Sequence, residues 1–435
     1  MKKIYFVGIG GIGVSGLARY YLHAGYSVYG SDKYDSELIG ELKKEGANII
    51  VGEDEDRINN DFEKVVYTEA VPLSQSELQK AQDLGINIET YPVALSKIVN
   101  DKKLIAVSGT HGKSTTSSMI SLMFHNSELN TNALVGTLLK EFDNKNAYYS
   151  DSEYFVLEAC EYKRSFLAYK PYIAAITNVD LDHLDYYKDL EDYLSAFESF
   201  LSNIKPGGYA ILNGEEENSK KLIGLREDIN YAVIYNNYFE LNNKKYYFEN
   251  YELLIPGEHI KYDSKIAYVA GKIAGLSDDL IIENLKKYSG AWRRMEIIKT
   301  SVNNNILMSD YGHHPNEIEP TLASIKQKFP DKKLIVFFEP HQYSRTLELL
   351  EEFKNCFGSA DKIIIPSIYE SRDSDEDKAK INAKKFTDLI NHNNKLYGVS
   401  LKNAENILKQ EDENNNNAIL LLLGAGNIDN LRNIL

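Results

Sequence analysis

A short glycine-rich segment, residues 109–115 (GTHGKST), combines the residue types that bind a nucleotide phosphate. It follows an apolar stretch that ends at Val107 and precedes a helical pattern from Ser117 onward. A turn of this kind directs backbone N–H groups and the positive end of a helix at an anion. Lys113 is then able to reach the β- and γ-phosphates, and the Ser114 hydroxyl is a Mg²⁺ ligand. We call residues 109–115 the phosphate loop, although Val107 stands where the consensus has its first glycine.

A second glycine-rich turn, the glycine loop, occupies residues 8–13 (GIGGIG) and matches G-x-G-x-x-G directly after the apolar strand Ile4–Val7. Asp32 ends the next predicted strand, where an acidic residue binds ribose in dinucleotide sites. Taken by itself, this turn predicts NAD(P) or FAD binding and an oxidoreductase. Its glycines also suit any pyrophosphate, and an ordinary turn without a ligand is a further alternative. Two phosphate sites in one chain favour an enzyme that joins a nucleotide-linked substrate to a second compound.

Candidate metal ligands follow two more apolar strands. Glu158 comes directly after Phe155–Leu157, with Glu161 three residues further on, and an acidic loop that contains His183 follows Ile173–Ile176. Because the carboxyl ends of parallel strands face the ligand crevice of an open sheet, these side chains are expected near the phosphate loop. They would complete a Mg²⁺ site that begins at the phosphate loop, and a solvated acidic loop is the alternative.

Two loops in the last third of the chain combine histidine, tyrosine and arginine. They are residues 310–315 (DYGHHP) and 339–346 (EPHQYSRT), and each follows an apolar strand. Arg345 is suited to bidentate binding of a carboxylate. The adjacent histidines suggest zinc, but no H-x-x-x-H or C-x-x-C spacing accompanies them, so we do not predict zinc.

Strands and helices alternate along three stretches of the chain, which predicts an α/β fold with parallel sheets. We expect the first stretch, 1–99, to be a Rossmann-like domain. We expect the second, 100–295, to be a P-loop ATPase-like α/β domain, and the third, 296–435, to be another Rossmann-like domain. The polar composition of Glu411–Asn417 predicts a solvated loop.

Bulk properties exclude several classes of protein. The 435 residues carry a formal net charge of −15, which argues against a partner that is a nucleic acid or an acidic membrane. No stretch approaches the roughly 18 apolar residues of a membrane span. The cysteines, Cys160 and Cys356, are far apart, which favours a reducing compartment and a cytoplasmic location.

In this order, the segments resemble those of the Mur ligases, the ATP-dependent amino-acid ligases of peptidoglycan assembly, over essentially the whole chain. The resemblance is carried by Gly8–Gly13, Gly109–Thr116, Glu158–Leu167, Thr177–Tyr187, Trp292–Glu296, Asp310–Ile318, Glu339–Thr346 and Gly424–Ile428. It is strongest to the members that act on UDP-N-acetylmuramate and L-alanine. It implies that ATP converts the lactyl carboxylate into an acyl phosphate, which the amine of alanine attacks, with ADP and phosphate as products and Mg²⁺ as the metal. The sequence specifies no oligomeric state.

The resemblance also implies a role for each matched residue. The catalytic residues would be Lys113, Glu158 and His183, and the metal ligands Ser114, Glu158 and His183. ATP would be bound by Gly109, Thr110, His111, Gly112, Lys113, Ser114, Thr115, Arg294 and Asp310, with Arg293 beside Arg294 in a basic pair. The UDP-sugar would be bound by Gly8, Gly10, Gly11, Gly13 and Asp32. The amino acid would be bound by Tyr311, His313, His341 and Arg345.

The chain departs from the family pattern at three places. Gly257–Asp263 lacks both asparagines of the G-x-H-N-x-x-N segment near the ATP base, and Gln342 stands where some relatives have arginine. Tyr193–Leu201 has no lysine that could be carbamylated, and we hypothesise that Glu161 supplies part of the ligation of a second metal. A ligase that adds a whole tripeptide is the nearest alternative, an NAD(P) oxidoreductase is a remote one, and a non-catalytic nucleotide sensor is a third.

Overall fold

The computed structural model of the chain describes residues 2–255, 257–371 and 373–435, and it leaves the side chain of Glu37 undescribed. The chain forms two compact units. The first unit consists of Met1–Glu252 and Asp263–Lys286, and the second of Leu253–Tyr262 and Lys287–Leu435. The predicted α/β class is confirmed, since three sheets, all largely parallel, alternate with helices along the chain.

The first sheet has five parallel strands in the order β3-β2-β1-β4-β5. The strands are β1 (Lys3–Val7), β2 (Ser27–Asp32), β3 (Asn48–Val51), β4 (Phe62–Tyr67) and β5 (Asn87–Thr90). The helices are α1 (Ile12–His23), α2 (Glu37–Lys44), α3 (Ser76–Asp83) and α4 (Tyr91–Val99). The apolar run at the centre of β1 is buried along its length, because helices cover both faces of a parallel sheet.

The second sheet has nine strands in the order β14-β13-β12-β11-β10-β6-β9-β7-β8. The strands are β6 (Lys103–Ser108), β7 (Asn132–Leu139), β8 (Lys145–Tyr148), β9 (Tyr154–Glu158), β10 (Ile173–Ile176), β11 (Tyr209–Asn213), β12 (Asn230–Ile234), β13 (Tyr238–Leu241) and β14 (Lys244–Tyr247). The helices of this stretch are α5 (Lys113–His125), α6 (Leu190–Ser202), α7 (Glu217–Lys220), α8 (Glu258–Ile273) and α9 (Asp278–Lys287). Helix α5 begins one turn before the predicted Ser117, because the last residues of the phosphate loop are already helical.

The third sheet has six strands in the order β15-β16-β20-β17-β18-β19, and only β15 is antiparallel to its neighbour. The strands are β15 (Glu296–Thr300), β16 (Ile306–Asp310), β17 (Lys333–Phe338), β18 (Lys362–Ile365), β19 (Lys395–Tyr397) and β20 (Ala418–Leu423). The helices are α10 (Pro315–Lys328), α11 (Tyr343–Glu348), α12 (Leu350–Phe353), α13 (Asp375–Lys380), α14 (Ala383–Leu389) and α15 (Leu401–Asn414). Short 3₁₀ segments complete the fold at Glu55–Arg57, Lys140–Phe142, Tyr162–Ala168 and Asn427–Asn433.

The prediction of a solvated loop at Glu411–Asn417 is wrong for its first half, since α15 continues to Asn414. Ser400 caps this helix by accepting a hydrogen bond from the Asn403 N–H, and Ala404 and Leu408 anchor one face in the core. An anchored helix carries a polar tail at little cost, because its backbone hydrogen bonds are internal.

Helix α1, which follows the glycine loop, packs against the hairpin β7–β8 of the second sheet, and this contact was not predicted. Arg19 is buried on α1, with Nε 3.0 Å from Glu45 Oε1 and Nη1 donating a 2.5 Å hydrogen bond to Asn146 Oδ1. The Tyr149 hydroxyl donates to the carbonyl oxygen of Gly16 at 2.7 Å. Buried side chains from both sheets thus form one hydrophobic cluster within the first unit.

Among the described residues, no helix combines the length and the apolar character that a membrane span requires.

Two helical glycines of the first unit differ in the space around them, which makes a stability test. A Cβ on Gly16 would lie 2.9 Å from Leu134 Cγ, whereas a Cβ on Gly40 has no neighbour within 4 Å. Alanine in a helix is favoured over glycine by about 1 kcal/mol. We expect Gly40→Ala to raise the unfolding midpoint of the first unit in thermal denaturation, and Gly16→Ala to lower it. Equal stabilisation by both variants would contradict the close packing of α1 on β7.

Candidate active site

The phosphate loop lies at the carboxyl edge of the second sheet, between the end of β6 and the start of α5. Strand β6 pairs in parallel with β10 on one side and with β9 on the other. The loops after these three strands therefore meet, because parallel strands end on the same side of a sheet. The phosphate loop, Glu158 and the loop after Ile176 share one edge, as the sequence predicts.

Gly109 and Thr110 pack directly on the loop that follows β10. Gly109 has φ +127°, and an added Cβ would lie 2.2 Å from Thr177 Oγ1 and 2.8 Å from the Asn178 carbonyl oxygen. The Thr110 hydroxyl donates to the Asp180 carbonyl oxygen at 2.6 Å, and its N–H donates to that of Asn178 at 3.2 Å. No side chain larger than hydrogen fits at Gly109, so the close approach of the two loops explains this glycine.

His111 is held mainly through its backbone. Its N–H donates to Asn178 Oδ1, and its carbonyl oxygen accepts from Asn178 Nδ2, both at 3.0 Å. The imidazole Nε2 lies 3.8 Å from Asp180 Oδ2. The amide side chain of Asn178 thus forms hydrogen bonds with both backbone groups of His111 and fixes the middle of the phosphate loop.

Gly112 caps the N-terminus of α5 in a left-handed conformation, with φ +81°. An added Cβ would lie 2.3 Å from Oδ1 of the buried Asp263 on α8. Thr115 is buried in the first turn of α5. In the sequence, Asp263 is only a departure from the G-x-H-N-x-x-N pattern. The structure places its carboxylate against the phosphate loop.

Lys113 folds back over the phosphate loop. Its ammonium donates to the carbonyl oxygens of Gly109 at 2.6 Å and Thr110 at 2.9 Å, and to Glu161 Oε1 at 3.0 Å. Burial by itself would lower the pKa of Lys113, but the charge of Glu161, with that of Glu158 behind it, raises the pKa above its ordinary value. The lysine is therefore a fixed positive charge at the mouth of the loop.

Glu158 and Ser114 are in direct contact. The Ser114 hydroxyl donates to Glu158 Oε1 at 3.0 Å, and the N–H of Gly136 on β7 donates to Oε2 at 2.6 Å. A Cβ at Gly136 would lie 2.4 Å from Oε1, so this glycine makes room for the carboxylate. A hydroxyl and a carboxylate oxygen are two of the ligand types that Mg²⁺ prefers.

Glu161 joins Lys113 to His183. Its Oε1 lies 3.5 Å from His183 Nε2, and its side chain is fully buried. Burial opposes ionisation, but the charges and hydrogen bonds of Lys113 and His183 hold the pKa of Glu161 below its ordinary value. His183 adopts a left-handed backbone with φ +56°, and its ring lies 4.8 Å from that of Tyr162.

Two buried polar atoms of this cluster have no hydrogen-bond partner among the described residues, namely Glu161 Oε2 and His183 Nδ1. An unsatisfied carboxylate oxygen and a ring nitrogen fit a missing cation or substrate group. In the described part of the chain, no three His, Cys, Asp or Glu side chains converge as a preformed metal cluster. Mg²⁺ does not need one, because it usually keeps water and substrate phosphate in its shell.

The glycine loop lies at the carboxyl edge of the first sheet. Gly8 has φ +79°, and a Cβ there would lie 2.4 Å from Thr68 Cγ2. Asp32 Oδ2 accepts the N–H of Gly10 at 2.8 Å, and its Oδ1 accepts that of Tyr34 at 3.2 Å. The acid that the sequence suggested for ribose binding thus holds the loop through its backbone. Of the remaining matched glycines, Gly11 caps α1 and Gly13 lies in its first turn.

The 3₁₀ segment Tyr162–Ala168 has a strained backbone and lies between the phosphate loop and the region that follows β4. The sequence contained no signal for this strain. Lys163 and Arg164 both have left-handed backbones, with φ +51° and +58°, which costs about 1–3 kcal/mol for each such residue. Arg164 Nη2 is held by Asp192 at 2.6 Å, and Lys163 Nζ donates to the Glu69 carbonyl oxygen at 3.1 Å. Glu161, the residue directly before this 3₁₀ segment, lies beside the phosphate loop.

The four residues predicted to bind an amino acid form one cluster in the second unit. Ring centroids of Tyr311 and His313 are 5.4 Å apart, and those of His313 and His341 are 6.0 Å apart. Arg345 Nη1 lies 3.4 Å from His341 Nδ1. His341 also stacks on the ring of Tyr369, a residue that sequence reasoning missed. The cluster combines a cation with aromatic walls, which suits a small zwitterion.

Asp310 and the two arginines lie beside this cluster. Asp310 is buried, and its oxygens accept the N–H groups of Met295 and Gly312 at 2.7 and 2.9 Å. Burial raises the pKa of Asp310 above its ordinary value, although the positive charge of Arg294 acts to lower it. The Arg294 guanidinium lies 4.8 Å from the Tyr311 ring centroid. The Arg293 guanidinium lies 4.9 Å from the same centroid, and its Nη2 also donates to the carbonyl oxygen of Gly424.

The candidate residues therefore fall into two groups. The first unit holds the glycine loop, the phosphate loop, Glu158, Glu161 and His183, and the second holds the aromatic cluster with Asp310. Ser114 contacts Glu158 directly, whereas His183 lies against Glu161.

Comparison with known proteins gives matches along most of the chain. Residues 3–103 match the model of the Mur ligase family, catalytic domain; residues 107–275 match the Mur ligase middle domain; and residues 293–426 match the Mur ligase, glutamate ligase domain. Among solved structures, the UDP-N-acetylmuramate–alanine ligase of Thermotoga maritima has a TM-score of 0.84 at 24% identity, over 99% of this chain and 97% of that chain. A murein peptide ligase of Psychrobacter arcticus has a TM-score of 0.72 at 20% identity, with the same coverage. These likenesses show the fold.

Closer relatives show more than the fold. A UDP-N-acetylmuramate–L-alanine ligase of Clostridium botulinum strain Hall is 38% identical over 393 residues, which are 86% of this chain and 84% of that protein. One of Clostridium acetobutylicum is 37% identical over 409 residues, 90% of this chain and 88% of that protein. At this identity and coverage, and with both glycine-rich loops in place, the chain belongs to the Mur ligase family.

Proposed function

We propose that this chain is an ATP-dependent ligase that joins L-alanine to the lactyl carboxylate of UDP-N-acetylmuramate in peptidoglycan precursor synthesis. The observation that carries the proposal is the meeting of Lys113, Ser114 and Glu158 at the edge of a sheet, in a unit that also holds a second anion-binding loop. A dehydrogenase needs only one such loop. The relatives named for this reaction match the chain over most of its length.

The reaction has two steps. An oxygen of the lactyl carboxylate attacks the γ-phosphorus of ATP, the bond to the β–γ bridging oxygen breaks, and ADP leaves. The amine nitrogen of alanine then attacks the acyl carbon, the bond to the phosphate oxygen breaks, and phosphate leaves while the nitrogen loses a proton. Both steps depend mainly on positioning and on neutralising charge.

Lys113 holds the β- and γ-phosphates once its ammonium leaves the carbonyl oxygens of its own loop. Ser114, Glu158 and His183 would hold Mg²⁺, with Glu161 as part of the ligation of a second ion. The chemistry that the metal would supply there is neutralisation of phosphate charge. The unsatisfied oxygen of Glu161 and ring nitrogen of His183 support this assignment. The phosphate loop, in the first unit, is proposed to bind ATP, and so are Arg294 and Asp310 of the second unit.

The glycine loop, Gly8, Gly10, Gly11 and Gly13, holds the pyrophosphate of the UDP-sugar, and Asp32 keeps that loop in shape. In the second unit, Arg345 pairs with the alanine carboxylate, while Tyr311, His313 and His341 surround the rest of the amino acid. The domain limits 1–99, 100–295 and 296–435 belong to the proposal, and each of the three sheets falls within one of them. A location in the reducing cytoplasm is also part of the proposal, since both cysteines are free thiols.

The assignment is tested by ADP release from the purified chain. We expect release that needs Mg²⁺, UDP-N-acetylmuramate and L-alanine together, and that stops when EDTA removes the metal. Offering a tripeptide in place of alanine tests the recycling ligase, and binding of NADH tests the oxidoreductase. Absence of ADP release with alanine would refute the proposal.

Lys113→Ala tests the role of the phosphate loop. We expect kcat to fall by about two to three orders of magnitude, because a fixed charge on the transferred phosphoryl group is lost. The exposed Lys170→Ala is the matched control and should keep wild-type kcat. Circular dichroism checks that both variants fold. A folded Lys113→Ala variant with wild-type turnover would exclude the lysine from catalysis.

Gly112→Ala tests the shape of the phosphate loop. Gly112 and Gly25 share φ +81°, but only Gly112 has a close neighbour, Asp263. Gly25→Ala therefore measures the backbone cost by itself, about 1–2 kcal/mol. We expect Gly112→Ala to weaken ATP binding at least tenfold in isothermal titration calorimetry, while Gly25→Ala leaves it unchanged. Equal ATP affinity in the two variants would contradict the packing of Asp263 on this loop.

A further inference from the structure

Tyr369 is joined to His341 through the backbone. The two residues form an isolated parallel bridge, away from any long strand. The Tyr369 N–H donates to the Pro340 carbonyl oxygen at 2.8 Å, and the Gln342 N–H donates to the Tyr369 carbonyl oxygen at 2.9 Å. The Cα positions of the tyrosine and the histidine are therefore held together before their side chains interact.

The side chains then stack. The rings of His341 and Tyr369 have centroids 5.1 Å apart and an interplanar angle of 20°. The base of the tyrosine side chain lies against Gly426, where an added Cβ would come within 2.7 Å of Tyr369 Cβ and Cγ. The tyrosine is thus confined between the backbone at Gly426 and the imidazole, and it has little freedom to rotate.

This stack decides how His341 faces the rest of the cluster. One face of the imidazole is covered by Tyr369, and the ring also lies near His313, at 6.0 Å between centroids, and Arg345, at 3.4 Å from Nδ1. Gln342 has φ +75° directly after His341, which further limits the local backbone. A histidine ring held on one side presents the same wall to every amino acid that enters.

We infer that Tyr369 is a positioning residue that orients His341 and thereby limits the amino-acid substrate to a small side chain. The inference rests on the proposed function, because it assumes that the cluster of Tyr311, His313, His341 and Arg345 binds the amino acid. The substrate class is the α-amino acids with a side chain of one carbon, and larger side chains are excluded by the fixed imidazole rather than by a narrow backbone channel.

The test compares three variants of the full-length enzyme. Tyr369→Phe keeps the ring, Tyr369→Leu keeps apolar volume but removes the stack, and Tyr369→Ala removes both. For each variant, kcat and KM are measured for L-alanine, ATP and UDP-N-acetylmuramate, and kcat/KM is measured for L-2-aminobutyrate and L-valine. Thermal denaturation reports the fold of each variant.

We expect Tyr369→Phe to behave like the wild type. In Tyr369→Leu and Tyr369→Ala, KM for L-alanine should rise about tenfold while KM for ATP and the UDP-sugar stays unchanged. The preference for L-alanine over L-2-aminobutyrate should fall in the same two variants. A merely structural role would move all three KM values together, without changing the preference between amino acids.

Several outcomes overturn the inference. Unchanged amino-acid preference in a folded Tyr369→Leu variant would do so, and so would a parallel rise of all three KM values. A Tyr369→Phe variant as impaired as Tyr369→Leu would show that the hydroxyl acts rather than the stacked ring. A wild-type enzyme that releases no ADP with L-alanine would overturn the proposed function and this inference with it, whereas wild-type turnover with unchanged preference overturns the inference alone.

Discussion

The parallel pairing of β10, β6 and β9 is the constraint on which the phosphate site depends. These strands lie side by side in the second sheet although other elements separate them in the chain. Their shared direction brings three loops to one edge, and the close approach of Gly109 to Thr177 locks two of them together. Lys113, Ser114 and Glu158 come from elements that start or end at that edge. A different strand order would separate the lysine from the carboxylates that hold its charge.

Charge balance follows from this geometry. Glu161 is fully buried and Lys113 is partly buried, and burial of either charge without the other would be expensive. The pair is kept by hydrogen bonds to loop carbonyls on one side and by His183 on the other. Left-handed residues at Lys163 and Arg164 follow Glu161 after one intervening residue, Tyr162. In the second unit, His341 is also held by several contacts: a backbone bridge to Tyr369, the stacked ring of Tyr369 and the guanidinium of Arg345.

Local patterns in the sequence were sufficient for the central strands and for both glycine-rich loops. The apolar runs of β1, β6, β9 and β10 stand between turns. Short, continuous apolar runs are typical of buried parallel strands. The packing of α1 on the hairpin β7–β8 was not predicted, because it involves Arg19 and Asn146, which are far apart in the chain. At α15, the polar residues after Leu408 carry no apolar periodicity, and they are helical only because the preceding turns are anchored.

The sequence by itself determined which residue types are available and the order of the two glycine-rich turns, since these depend on neighbours along the chain. The tertiary structure decided which side chains meet. It placed Glu161 between Lys113 and His183, turned Asp32 toward the backbone of the glycine loop, directed Arg293 to Gly424, and stacked Tyr369 on His341. Each of these contacts joins residues from different strands or loops. Spacing in a sequence records distance along the chain, whereas strand order and backbone strain set distance in space.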